Sequence, residues 1–226
     1  GREQMWDIDA QRFLGPQDGF PDVSLWGMGI ASRDLGGDGR DEVMLTSMGD
    51  QLLQIAGPQG YRAAPFAIGT YAQRPHVGGD GRPSTGWHAE FGDVDNDGRA
   101  DLFIAKGNVD QMPGMATRDP NNLLMQQPDG TFTEAAAQAG VASMARGRGA
   151  GLADFDGDGR LDLVVVNRRA PLEVYRNVTP GTGNWLGVVL AQTGGNRNGV
   201  GARVTVTTQS QVQTAQKLVG GGHAGG

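Results

Sequence analysis

The sequence predicts an all-β fold of repeated units, and three observations carry that prediction. The 226-residue chain is 38% hydrophobic and contains 39 glycines, a composition that suits a turn-rich β protein with a sizeable core. Its apolar residues fall in short runs bounded by Gly, Pro, Asn and Asp, as strands do. A register recurs along the chain: Gly98 and Gly159 are 61 residues apart, and Gly39 lies 59 residues before Gly98.

Each copy of the register contains the same elements in the same order. Gly27, Gly86 and Gly147 each stand seven residues before a loop aspartate, in GMGIASRD, GWHAEFGD and GRGAGLAD. After each loop comes a strand candidate, EVMLTS, DLFIAK or DLVVVN, and then a second apolar stretch, LLQIAG, NLLMQQ or LEVYRN. Two of these lead into a turn and an aromatic, GPQGY and PDGTF. A unit of about 60 residues with four short strands has the size of one propeller blade.

The loops between the first two strands hold the chemistry. Asp93-Val-Asp-Asn-Asp-Gly-Arg-Ala-Asp101 and Asp154-Phe-Asp-Gly-Asp-Gly-Arg-Leu-Asp162 share the pattern D-x-D-x-D-G-x-x-D. Calcium takes six to eight oxygen ligands at roughly 2.3–2.6 Å, and such a loop can supply them. Asp93, Asp95 and Asp97, or Asp154, Asp156 and Asp158, converge from alternate positions. Gly98 and Gly159 permit the sharp turn that brings in the Arg99 or Arg160 carbonyl, and Asp101 or Asp162 closes the shell. Four carboxylates this close repel one another without a cation. Metal-free acidic turns are the bland alternative, but two full matches with the same downstream strand go beyond turn composition. An EF-hand is excluded, because position 12 is Ile104 or Val165 inside a strand candidate. The first copy, Asp34-Leu-Gly-Gly-Asp-Gly-Arg-Asp-Glu42, has Gly36 in place of a carboxylate. It leaves Asp38, the Arg40 carbonyl and Glu42 beside Asp34 as a third, degenerate site.

Over residues 20 to 178 these units resemble FG-GAP/VCBS repeats, the calcium-loop blades of integrin-α-like β-propellers. That resemblance implies four-stranded blades, with the metal held by loop positions 1, 3, 5 and 9 and the position 7 carbonyl. It divides the chain into propeller blades at 1–178, about three units of an incomplete ring, and a distinct segment at 179–226. The latter, with Asn184-Trp-Leu-Gly-Val-Val-Leu190, Gly201-Ala-Arg-Val-Thr-Val-Thr207 and Lys217-Leu-Val-Gly-Gly-Gly-His223, resembles the start of the ASPIC/UnbV domain. That domain commonly follows such repeats in secreted bacterial proteins and in the cartilage acidic protein family. Both Asn184–Leu190 and Gly201–Thr207 read as alternating strands. Three units cannot close a propeller of four to eight blades, so the chain reads as a fragment of a larger propeller.

Composition narrows the function further. A net charge of −6 and a pI near 5.0 argue against binding a nucleic-acid backbone. The absence of Cys excludes disulfides and thiolate metal sites. No run is long enough for a membrane-spanning helix and no signal peptide is visible, which limits membrane association to that made through a partner. His76, His88 and His223 are scattered, and His88 reads as a packing or surface residue. Gly78-Gly-Asp-Gly-Arg82 mimics the loop core but is followed by Pro83, so it reads as a surface excursion. Gly220 to Gly225 formally fits G-x-G-x-x-G without a following helix, and Asn177-Val-Thr179 fits a glycosylation sequon. The expectation is a non-enzymatic, extracytoplasmic calcium-binding scaffold or protein-interaction module. Its alternatives are a carbohydrate-binding propeller attached to a polysaccharide-active enzyme, and an accessory subunit of a membrane-associated complex.

Overall fold

A computed structural model describes residues 4–75, 84–108, 118–209 and 211–219. The fragment at 78–82, His76, His223 and the glycine run at 220–225 lie outside them. Among the described residues no helix is long and apolar enough to cross a membrane.

Strands account for nearly all the regular structure. After a small hairpin of β1 (Trp6–Asp7) and β2 (Arg12–Phe13), the first unit contributes β3 (Gly27–Arg33), β4 (Glu42–Gly49), β5 (Leu52–Gly57) and β6 (Gly60–Ala63). The second contributes β7 (Ser84–Gly92), β8 (Asp101–Lys106), β9 (Asn122–Gln126) and β10 (Phe132–Glu134), followed by one helical turn, Ala136–Ala139. In the third, β11 (Gly147–Ala153), β12 (Asp162–Asn167) and β13 (Glu173–Tyr175) form a three-stranded sheet. A last hairpin pairs β14 (Arg203–Thr207) with β15 (Val212–Gln216). All pairing is antiparallel, and the first two units join where Met48 and Gly49 of β4 pair with Thr85 and Ser84 of β7. The sheets curl as propeller-like blades, with β7 packed between β3 and β11.

The repeat is exact in register. Arg33 pairs with Glu42, Gly92 with Asp101 and Ala153 with Asp162, so each loop leaves and re-enters its hairpin at the same rung. Each first strand also carries a bulge just after its leading glycine, between Gly27 and Ile30, Gly86 and His88, and Gly147 and Gly149.

Alternation along β8 builds two cores. Side chains point to opposite faces at every step of a strand, so Leu102 and Ile104 join Met44, Leu53, Ala89, Leu124 and Phe132 between the first and second units. Phe103 and Ala105 face the other way, onto Ala136, Val141, Leu163 and Val165 of the third. This is why DLFIAK is apolar throughout: β8 is buried on both faces. The end of the second sheet remote from its loop is polar. There Lys106 Nζ, fully buried, lies 3.2 Å from Asp119, which also accepts hydrogen bonds from Ser84 Oγ and from the Thr85 amide at 2.7 Å. Burial pushes the Lys106 ammonium below its usual range, and the Asp119 charge opposes that shift.

Two expectations fail here. The third unit has three strands among the described residues instead of four, because Asn177 turns the chain inward. Its amide N–H donates to Asp162 at 2.8 Å, and its side chain donates to the carbonyls of Val94 at 2.7 Å and Leu161 at 3.1 Å. That draws the chain over the loops instead of along a fourth strand. Residues 184–190 form no strand either, because β14 and β15 pair with each other and leave this stretch without a ladder partner. Trp185, Leu186, Val188 and Val189 stand exposed, Val189 at 92%.

Candidate metal centres

Each loop is wound around its first aspartate. Asp93 accepts hydrogen bonds from the amides of Asp97 at 3.0 Å and Gly98 at 2.8 Å, and Asp154 from those of Asp158 at 3.1 Å and Gly159 at 2.8 Å. Asp34 does the same with Asp38 and Gly39. The turn demands left-handed backbone at position 6, where Gly39, Gly98 and Gly159 have φ of 85°, 90° and 86°. It demands it again at position 4, occupied by Gly37, Asn96 and Gly157. Glycine and asparagine tolerate that conformation best.

The aspartate at position 9 closes the loop from below. Asp101, 1% exposed, accepts from the amides of Val94 in its own loop at 3.0 Å and Gln126 on β9 at 2.9 Å. Asp162, 3% exposed, accepts likewise from Phe155 and Asn177. Glu42 takes this role in the first unit, accepting from Leu35 and Ala56. One carboxylate thus ties the loop to the third strand in the first two units, and to Asn177, just past the third strand, in the last.

These arrangements bring three carboxylates together in two loops. One oxygen each from Asp93, Asp95 and Asp101 lies within 4.8 Å of the others, and the same holds for Asp154, Asp156 and Asp162. Two oxygens on one calcium are separated by at most twice the Ca–O distance, about 4.6–5.2 Å, so each triad has the right size. Burial, followed by repulsion among the triad, raises the carboxyl of Asp101 to about 7 against its backbone hydrogen bonds. Burial also raises Asp93 and Asp95 above the ordinary carboxylate range, with the neighbouring aspartates adding to the shift. A divalent cation would relieve that cost.

Asp97 and Asp158 also have a partner that the sequence did not mark. The arginine side chain at position 7 forms an ion pair with the aspartate at position 5, Arg99 with Asp97, Arg160 with Asp158, and Arg40 with Asp38 at 3.1 Å. The triads therefore comprise positions 1, 3 and 9, with position 5 held by the arginine. The first loop is grouped differently. Among the described residues Asp34, Asp38 and Glu42 form no such cluster, and Arg203 of β14 reaches in, 3.5 Å from Asp41 and 4.0 Å from Asp34.

Described residues beyond 178 touch these loops at several points. Gln211 Nε2 donates to the Asp97 carbonyl at 3.0 Å, the Gly183 amide donates to the Asp95 carbonyl at 3.3 Å, and a Cβ on Gly159 would overlap the Trp185 indole. Arg176 pairs with Asp156 at 2.7 Å. Asn177, a sequon by pattern, spends its side chain clasping Val94 and Leu161. No spacing rule marked Arg176, Asn177, Arg203 or Gln211, since the partners named here are 15 to 169 residues away in sequence. His88 is buried on β7, 3.4 Å from Glu90.

Comparison with known families falls on the same elements. Residues 114–165 and 154–205 match the FG-GAP-like repeat. The two FG-GAP-like matches overlap across the third loop, and the second runs to residue 205, past the point where the repeat was expected to stop. Cartilage acidic protein 1 of Homo sapiens is 47% identical over 57 residues, which is 25% of this chain and 9% of that protein. The Xenopus tropicalis protein of the same name is 33% identical over 85 residues, 37% of this chain and 12% of that protein. The chain thus matches about a tenth of the length of these curated relatives.

Proposed function

We propose that this chain is a segment of an extracytoplasmic, calcium-stabilised β-propeller, serving as a non-enzymatic scaffold and protein-interaction module. Residues 179–226 form an ASPIC/UnbV-like segment, of which Gly183, Trp185, Arg203 and Gln211 reach the loops. The single observation behind this reading is the repeated triad: the same three loop positions, in two units of one register, bring carboxylate oxygens to within 4.8 Å. Asp93, Asp95 and Asp101 would hold one ion, and Asp154, Asp156 and Asp162 a second. The Arg99 and Arg160 carbonyls, with Asp97 and Asp158 released from their arginines, would complete the shells.

The ion supplies charge neutralisation and a cross-link between the two strands of a blade hairpin. The chain's own residues do the rest: Asp101 carries that link to the third strand, Asp162 carries it to Asn177 just past the third strand, and the loop glycines fix the curl. Arg203 offsets charge at the first loop, which makes its site, Asp34, Asp38, Arg40 and Glu42, the weakest of the three. Calcium is abundant outside the cytoplasm, where the FG-GAP-like repeats and the name of the relatives also point.

Isothermal titration of metal-stripped protein with calcium tests the reading. Two sites per chain are expected, and Asp95→Ala with Asp156→Ala should remove both. No binding heat, together with identical melting in calcium and in chelator, would count against it.

A further inference from the structure

The second and third loops are hydrogen-bonded to each other. Asn96 stands at position 4, between Asp95 and Asp97, and its Nδ2 donates across to the third unit, to the Gly159 carbonyl at 3.0 Å. Gly159 in turn holds the curl of the third loop, its amide donating to Asp154 at 2.8 Å. Position 4 is glycine in the other two loops, Gly37 and Gly157, whereas here a residue with a side chain adopts φ 56°. Asparagine tolerates that backbone at a cost glycine avoids, so the reach of its carboxamide is what sets this loop apart.

Asn177 makes a second link. Its amide N–H donates to Asp162 at 2.8 Å and its Nδ2 to the Val94 carbonyl at 2.7 Å, while the Val94 amide donates to Asp101 at 3.0 Å. The two buried position 9 carboxylates are thus joined through Asn177 and Val94. The orientation of this carboxamide is fixed, because Oδ1 accepts from the Thr179 amide at 3.0 Å and hydroxyl at 2.7 Å, which leaves Nδ2 to the carbonyls of Val94 and Leu161. At the same register the position 9 carboxylates of the first and second units accept from the amides of Ala56 and Gln126. Alanine has no side chain to extend, and Gln126 Oε1 turns back to the Ala100 amide of its own loop at 3.1 Å. Of these three residues, Asn177 is the one whose side chain reaches the preceding unit.

We propose that Asn96 and Asn177 couple the two calcium loops, so that filling either one raises the affinity of the other. This rests on the calcium reading above. An ion among Asp93, Asp95 and Asp101 would fix the chain from Val94 to Asp97, and with it the groups that hold Gly159 and Asn177. Part of the cost of ordering Asp154 and Asp162 is then already met, and the coupling is reciprocal. Repulsion between the two ions acts the other way, and salt screens it beyond about 8 Å at about 0.15 M. Both asparagines are neutral, so replacing them removes the hydrogen bonds and leaves that repulsion as it was.

The test is titration of the full chain with calcium, in competition with a chromophoric chelator at about 0.15 M salt. Asp156→Asn leaves the site of the second loop and Asp95→Asn that of the third, so each variant supplies one single-site association constant. The product of the two wild-type constants should exceed the product of these single-site constants at least about five-fold. With Asn96→Gly and Asn177→Ala introduced throughout, the same ratio should fall to about one. Should that pair melt early in chelator, Asn96→Gly alone, which installs the residue found in the other two loops, is expected to lower the ratio at the wild-type metal-free melting temperature. One ion bound by each single-site variant, with a wild-type ratio of about one or less, overturns the coupling and leaves the calcium reading standing. A ratio that survives Asn96→Gly with Asn177→Ala overturns the proposal as well. Wild-type protein that binds no calcium overturns both.

Discussion

Asp95→Asn separates metal binding from folding. In the metal-free chain Asp95 makes one long hydrogen bond, accepting from the Asp97 amide at 3.3 Å, and that amide also reaches Asp93 at 3.0 Å. Little is lost when the charge goes. Partial burial and the Asp97 charge already disfavour ionised Asp95, so the substitution relieves repulsion, and metal-free stability should stay within about 0.5 kcal/mol of wild type. Calcium at 100 times its Kd stabilises by about 2.7 kcal/mol per independent site. For a chain of this size 1 kcal/mol moves Tm by about 2–4 °C, so two sites raise the wild-type melting temperature by roughly 10–20 °C. Asp95→Asn should retain about half of that rise, and Asp95→Asn with Asp156→Asn almost none. Differential scanning calorimetry in calcium and in chelator reads both quantities. A variant that keeps the full calcium rise, or that melts several degrees early in chelator, refutes the assignment of Asp95 as a ligand.

Three further outcomes follow from the same geometry. Asp101 titrates near 7 in the fold against about 3.9 in the unfolded chain. The folded state therefore holds the extra proton between those values, and metal-free stability falls as pH rises from about 4 to 7. Calcium binds the ionised form and should reverse that slope; urea unfolding that grows more favourable to the fold with rising pH in chelator contradicts this. Gly159→Ala places a Cβ at φ 86°, against the Trp185 indole, and should cost about 1–2 kcal/mol in backbone strain with a change in tryptophan fluorescence; wild-type melting and emission would contradict it. Asp119→Ala leaves Lys106 buried without its carboxylate and should cost about 3–5 kcal/mol in urea unfolding, whereas a loss below 1 kcal/mol would show the pair to be idle.

The blades were legible because their determinants are local. A glycine, a run of alternating apolar residues and a D-x-D-x-D-G loop repeat at fixed offsets, and DLFIAK, DLVVVN and LLQIAG became strands over those same residues. The triads were legible for the same reason, since positions 1, 3 and 9 are set by one turn. What was not legible depends on distant partners. The ion pairs of positions 5 and 7 are the exception, close in sequence but absent from the liganding pattern, which uses only the position 7 carbonyl. Arg203 and Gln211 reach loops that lie more than 100 residues upstream. Asn184–Leu190 has the alternation of a strand, but alternation does not supply the neighbouring edge that a strand requires.

Crystals grown in calcium, with anomalous scattering recorded at a wavelength where calcium contributes, test the central claim most directly. One anomalous peak should lie among Asp93, Asp95 and Asp101 and another among Asp154, Asp156 and Asp162, each with Ca–O distances of about 2.3–2.6 Å. Well-ordered loops without either peak, their aspartates engaged only by arginine and backbone amides, would contradict it.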